Sequence, residues 1–408
     1  MVARLAPALP LLGLILLAPP AALARAITAH AGRHRSGTVP GPTAAQLQPV
    51  LDALGRSDPL ACALAADAVL AGLSGGRRDG SPVEDGAAHS LERALTGPVT
   101  APDAVALLAG HLGDSSACVR RMAAGLLGRT ESPEAMARLR AALRAGQPGE
   151  RQAAAFGLGE REDPDVRELL EGALRDPDAA VAATAAWALG STGDARAVPS
   201  LLVAAGHVDG RVRRAAVAAL GGLGDRRALG VLVEQLGSDE AGVRAAAAEA
   251  LGEIGERETT PALLARMKDA DADVRLSVVE ALARLEDARA LEALVLCLSD
   301  PDARVRAEGA AALGGLEDAR AVDALVRATV DADPRVRAAA SESLGEIRDP
   351  RTAQALSAAL GDRVREVRRA ATRALARLES PAARAALRAA TSDADPEVRR
   401  EAVRALGR

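Results

Sequence analysis

Five histidines offer the first opening for chemistry: His30, His34, His89, His111 and His207. A helical metal site of the H-E-x-x-H kind needs two imidazoles one turn apart and a carboxylate beside them, and here no histidine is followed by glutamate. His30 and His34 stand four apart, but in a polar stretch that offers no further ligand. Cys62, Cys118 and Cys297 form no C-x-x-C and no zinc spacing. Their odd number leaves one thiol over. The apolar helical surroundings of Cys62 and Cys118 suit buried small side chains, and a disulfide stays open. G-x-S-x-G and P-loop motifs are missing, and no G-x-G-x-x-G follows a strand pattern. Carboxylate pairs abound, yet they recur at a fixed interval, whereas a hydrolase needs one pair set apart from the rest. The expectation is a protein without catalytic residues, metal ligands or cofactor.

A row of arginines is the more regular feature. Arg213, Arg244, Arg275, Arg306, Arg337, Arg368 and Arg399 each follow a valine, 31 residues apart. Arg120 and Arg151 extend the row backwards, and Ala182 interrupts it. Such a row could be a phosphate-binding comb, a catalytic array or scaffold. Four residues before most positions of this row lies an acid: Asp178 (ahead of Ala182), Asp209, Glu240, Asp271, Asp302, Asp333 and Asp395. An aspartate cap with an arginine at (i, i+4) on the same helix is a structural pairing. Stacked units would also bring each arginine to the acidic turn of the next, building a ladder that sets register. Lys268 is the one lysine, so arginine abundance reflects overall usage, and the formal charge of −4 exerts no general pull on nucleic acid.

The elements that carry this row are helices. In residues 319–331, Ala321, Leu325 and Val326 mark one apolar stripe, and Val305, Gly309, Ala312 and Leu313 mark a second in residues 305–316. Asp333-Pro334 and Asp395-Pro396 suit a capping aspartate with proline in the first turn. Leu127, Leu158, Leu189, Leu220, Leu251, Leu282, Leu313, Leu344, Leu375 and Leu406 keep the same interval. The glycine that mostly follows this leucine is expected to end or loosen the second helix. A strict period of this length means helix pairs that bury their apolar faces only by stacking. The predicted fold is an all-α solenoid of about ten to twelve two-helix repeats.

The repeated D-x-x-V-R-x-x-A-x-x-A-L-G-x-L-x-D-x-R-A units, clearest from Val181 to Arg408, resemble HEAT repeats of the short subgroup first described in phycobilisome lyases. The resemblance covers about three-quarters of the chain and is specific for fold. It implies aspartate–arginine ladders and, since the subgroup serves mainly as a binding scaffold, no activity of its own. The His-Glu pairs that hold iron in the HEAT-like deoxyhypusine hydroxylases are absent from this sequence. Chromophore or cofactor handling, suggested by the subgroup's name, is an alternative, as is polyanion binding of the kind HEAT-like DNA glycosylases use.

Ahead of the repeats, residues 1–24 carry Arg4, an apolar run and small residues at Ala22 and Ala24, the order of a secretory signal peptide. Residues 25–42 form a polar linker, residues 43–113 hold degenerate helical repeats with a loop at 74–88, and residues 114–408 form the regular solenoid. The expected location is periplasmic or extracellular, with an anchor made by an uncleaved leader as the alternative.

Function in such an array should lie where equivalent positions differ. Six residues after the valine stand Gly125, Phe156, Trp187, Ala218, Glu249, Glu280, Ala311, Glu342, Arg373 and Arg404. Half of these are charged, so the position faces solvent or a groove. The chain's two aromatics occupy it in adjacent repeats, as an anchor for another protein would; burial beneath a neighbouring helix is the competing reading. The same row then turns basic, where Arg369, Arg373, Arg400 and Arg404 could dock an acidic partner. From Arg363 to Arg408 there are twelve arginines against six acids.

Overall fold

The computed structural model describes residues 42–57, 99–161 and 163–407. Residues 1–24, the 74–88 loop, Cys62 and nearly all of the expected linker lie outside the described residues. Two compact units divide the chain, the first ending at Ala219 and the second running from Leu220 to Arg408.

In the first unit α1 spans Ala44–Gly55, α2 Pro102–Gly110, α3 Ala117–Gly128, α4 Pro133–Ala145, α5 Pro148–Leu158, α6 Val166–Ala173, α7 Ala179–Ser191, α8 Val198–Ala204 and α9 Gly210–Leu223, the last crossing the unit boundary. In the second unit α10 (Leu229–Gln235), α12 (Thr260–Leu264), α14 (Leu291–Cys297), α16 (Val322–Ala328), α18 (Ala353–Ala359) and α20 (Pro381–Ala390) are first helices. They alternate with the second helices α11 (Ala241–Ile254), α13 (Ala272–Leu285), α15 (Ala303–Gly315), α17 (Pro334–Ile347), α19 (Arg365–Arg377) and α21 (Pro396–Leu406). All regular elements among the described residues are helical. Most first helices are short because a 3-10 turn precedes them, as at Ala319–Ala321 ahead of α16.

Within each unit, second helices pack on the second helices of the neighbouring repeats, while first helices pack mainly on their own partner. The core is the apolar stripe expected from the spacing: Val305, Leu313, Leu325, Val336 and Leu344 are fully buried. Each such side chain contributes about 1.5–3 kcal/mol on burial. Capping follows the sequence signal, since the Asp333 side chain accepts from the Arg335 N–H ahead of α17, and Asp395 accepts from Glu397 and Val398 ahead of α21.

The repeated glycine does a different job from the one expected. Gly221, Gly252 and Gly345 lie inside their helices, not at a stop. A Cβ on Gly345 would come within 2.5 Å of the Ala374 Cα, and one on Gly190 within 2.7 Å of the Ala219 Cβ. Glycine is required because adjacent second helices touch backbone to backbone. The helix stop comes three residues later, at a left-handed residue in every repeat from 193 to 348: Gly193, Gly224, Gly255, Glu286, Glu317 and Arg348.

Candidate functional site

Two systems of charged side chains and one aromatic stack make up the surface chemistry of the described residues. The arginine row forms the ladder, but with different acids from those adjacent to it in sequence. Arg337 in α17 grips Asp362 in two contacts, Nε at 2.6 Å and Nη2 at 3.0 Å. Its Nη1 donates to the Asp331 and Ala332 carbonyls, at 2.8 and 3.1 Å. The same arrangement joins Arg244 to Asp269, Arg275 to Asp300, Arg306 to Asp331 and Arg368 to Asp393. In the first unit it joins Arg151 to Asp176. Arg213 donates to the His207 and Val208 carbonyls, and Arg399 to those of Asp393 and Ala394.

The expected ladder acids Asp209, Asp271, Asp302, Asp333 and Asp395 therefore need correction. They cap helices, and Asp209, Asp302 and Asp333 are also held by the arginine two residues on, Arg211, Arg304 and Arg335. Their oxygens are taken before the (i, i+4) arginine can compete. The acid two residues before each cap pairs instead with the arginine of the preceding repeat, as Asp331 does with Arg306 and Asp362 with Arg337. It also accepts a backbone N–H two residues on, as Asp331 does from Asp333 at 2.8 Å.

The guanidinium hydrogen bonds hold Asp176, Asp269, Asp362 and Asp393 below the usual carboxylate range. The Arg211, Arg304 and Arg335 guanidiniums bring Asp209, Asp302 and Asp333 down to about 2. At two rungs the sequence departs from the arginine–aspartate pattern. The alanine at 182 has His207 in the carboxylate position 25 residues on, and the second unit opens with Ser238 in that position. Both keep the turn: His207 Nδ1 accepts from the Asp209 N–H at 3.0 Å, and Ser238 Oγ from the Glu240 N–H at 3.4 Å.

At the C-terminal end three of the four arginines expected to face a partner are held by acids of neighbouring residues. Arg369 contacts Glu397 and Glu401, Arg373 contacts Glu342 of the preceding repeat at 2.5 Å, and Arg400 contacts Glu397 at 3.8 Å. Arg377 likewise faces Glu346. The acidic and basic stretches of the row thus pair laterally where they meet. Arg404 is exposed.

The aromatic pair comes together in the first unit. The rings of Phe156 (α5) and Trp187 (α7) stack with centroids 5.1 Å apart and planes 12° from parallel. Phe156 is 8% exposed and Trp187 42%, so one ring joins the core and the other meets solvent. Arg121 of α3 covers the Phe156 ring, its guanidinium carbon 4.8 Å from the centroid. Nothing in the sequence spacing singled out Arg121; the signal was its place on the same helix face one repeat earlier. Stacking of this kind adds about 0.5–1.5 kcal/mol beyond area burial, and an arginine on a ring about 0.5–1 kcal/mol.

Around the rings α7 carries no charged side chain from Ala179 to Ser191. Its polar side chains bond locally: half-buried Thr184 donates to the Ala180 carbonyl and accepts from Gln152, and exposed Ser191 donates to the Trp187 carbonyl. No group of histidine, cysteine or acidic side chains suited to a metal ion occurs among the described residues.

A family profile for HEAT repeats matches the chain in seven overlapping stretches: 82–159, 141–220, 166–251, 199–283, 231–298, 291–376 and 359–408. No curated protein matches it by sequence. Among solved structures, importin beta aligns over 88% of this chain and 56% of its own, at 17% identity and a TM-score of 0.56. Kap95p, from a structure concerning RanGDP, aligns over 95% of this chain and 60% of its own, at 16% identity and 0.56. The CpcE–CpcF phycocyanin lyase of Nostoc sp. PCC7120 aligns over 59% of this chain and 93% of its own, at 23% identity and 0.37. At these identities the likeness is one of fold, and this chain spans little more than half the length of the two importin-type chains.

Proposed function

The chain belongs to the HEAT-repeat family, and from that premise we propose that it is an exported, non-catalytic scaffold that binds another protein on its second-helix face. The observation that carries the reading is Trp187: a half-exposed indole, held flat by Phe156, on a helix without charge. Exposed aromatics that are already fixed in orientation make strong anchors, because little side-chain freedom is lost on binding. The buried stretches supply rigidity and register, which is what a binding surface needs from its support.

Export is supported by the signal-like order of residues 1–24 and by Cys118, which is disulfide-bonded, as suits an oxidising compartment. No helix among the described residues is long and apolar enough to cross a membrane. The pairing of the C-terminal arginines with acids weighs against a polyanion groove there.

The test is affinity capture from the exported fraction, with the native protein and Trp187→Ala as baits. Phe156 is left intact because it belongs to the core. One partner held by the native protein and lost by a folded Trp187→Ala supports the reading; identical captures remove Trp187 from it. N-terminal sequencing of secreted material beginning near residue 25 supports export, and an intact leader on intracellular protein refutes it.

A further inference from the structure

We infer that a hollow in the second unit captures the carboxyl terminus of a partner chain ending in an aliphatic residue. The side chain fills the hollow and the terminal carboxylate pairs with Arg363. The site stands independently of Trp187. The hollow, about 470 Å³, lies between the bend after α16 and the C-terminal end of α18. Val330, Ala355, Ala358, Ala359 and Gly361 give it an apolar lining, and Arg363 lines it as well. Two departures from the repeat meet here. Ala358 stands where the two preceding repeats carry Leu296 and Arg327, and Arg363 where they carry Pro301 and Ala332. One change leaves space, and the other adds a cation beside it.

The other polar groups of the lining are committed. Arg306 forks Asp331, and Arg337 forks Asp362 through both carboxylate oxygens. The Thr329 hydroxyl donates to the Val326 carbonyl. Arg363 is exposed, and among the described residues its guanidinium has no ion pair. With each rung acid matched by its arginine, Arg363 is the excess charge of the site. An anion placed beside the apolar lining would meet it in a forked, charge-assisted pair.

The shape selects the kind of anion. Val330 is 81% exposed, and Ala358 and Gly361 also face solvent. A small ligand in its pocket buries about 70–90% of its surface, which so open a dish cannot provide. The occupant is therefore one residue of a longer chain. In an extended internal segment, an acid next to an aliphatic residue points to the opposite face. At a chain end the apolar side chain and the carboxylate belong to one residue, and both reach the site together.

The experiment measures fluorescence anisotropy of short glycine–serine peptides, dye-labelled at the N-terminus and ending in leucine, against the full chain. One peptide keeps its free carboxylate, a second is amidated, and a third is amidated with aspartate before the leucine. The free-acid peptide should bind about fivefold tighter than the amide, an advantage that shrinks with salt. Arg363→Ala should bring it down to the affinity of the amide and leave the amide unchanged. Ala358→Leu should fill the hollow and abolish binding of both. Each variant copies a residue that the repeat already holds at that position, Ala332 and Leu296, and circular dichroism checks that both stay folded. Equal binding of acid and amide, or no effect of Arg363→Ala, removes the carboxylate from the site. Tightest binding by the aspartate peptide replaces the chain end with an internal acidic segment and overturns the inference. So does unaltered binding to Ala358→Leu, or no response from any of the peptides.

Discussion

Cutting one rung of the ladder should cost far more than a surface ion pair does. Arg337 and Asp362 are 9% and 12% exposed in their side chains, and the guanidinium makes four contacts within 3.1 Å. Arg337→Ala leaves a mostly buried carboxylate that still accepts from the Val364 N–H, and strips a donor from two carbonyls. Hydrogen bonds to charged groups contribute about 1.5–3 kcal/mol, and breaking a buried pair about 3–5 kcal/mol. A loss near 3 kcal/mol is expected. Asp362→Asn keeps the acceptor for the Val364 N–H, removes the charge, and should cost about 1.5 kcal/mol. Because each partner's loss is counted once, the double variant should be less destabilised than the sum by about 1 kcal/mol or more. Urea unfolding gives the totals, and native-state hydrogen exchange shows whether the loss concentrates in α17 and α19, as a repeat array requires.

The sign with pH is fixed by Asp362, whose folded value lies below the ordinary one through its bond to Arg337. Its contribution is whole above the unfolded value, about 3.9, and is lost as pH falls through the folded value. The gap between native protein and Arg337→Ala should therefore be constant above pH 5 and close on acidification. A cost below about 0.5 kcal/mol, the size of an exposed pair, or strict additivity in the double variant, would refute the reasoning.

Other outcomes follow from the repeat geometry. Gly345→Ala, a gain in helix propensity of about 1 kcal/mol, should instead destabilise by about 1–3 kcal/mol through the clash with Ala374; urea midpoints decide the sign. Glu317→Gly relieves a left-handed glutamate at φ 50° and should raise stability by up to about 1 kcal/mol, by the same assay. Cys297 is buried, with its thiol pushed up to about 12 by burial, so a thiol reagent at pH 8 should leave the native chain unlabelled. In denaturant without reductant it should count one thiol per chain, and a count of three would contradict the disulfide at Cys118.

The periodic part of this molecule was legible because each repeat states it again. Val336, Leu344 and the Asp333 cap could be read from any unit. What escaped were relations between units. Asp362 lies 25 residues from Arg337 and looked like an ordinary turn acid, whereas Asp333 stood beside it in sequence and drew the pairing. The glycine after each leucine resembles a helix stop in one repeat; only two helices packed together reveal it as a gap for Ala374. For the aromatic pair, spacing placed Phe156 and Trp187 on one face, but the unequal exposure of the rings depends on how α5 and α7 sit against their neighbours, which no period encodes.

The ladder also bears on how such a chain can change length. Each rung ties an arginine to its own bend on one side and to the following bend on the other, so the unit of exchange is one period. Excise residues 305–335, and Arg337 falls where Arg306 stood, beside the Asp300 carbonyl and still facing Asp362. Every contact type survives, and duplication of the same stretch is equally silent. That makes the second unit tolerant of unequal recombination. Around Trp187 the tolerance ends. Excising residues 152–182 would set Arg151 opposite His207 in place of Asp176, exchanging a forked ion pair for an imidazole already bonded to Asp209, and Phe156 would go with the deleted stretch. Copy number is free to drift where the rungs are alike, and is held where they are not.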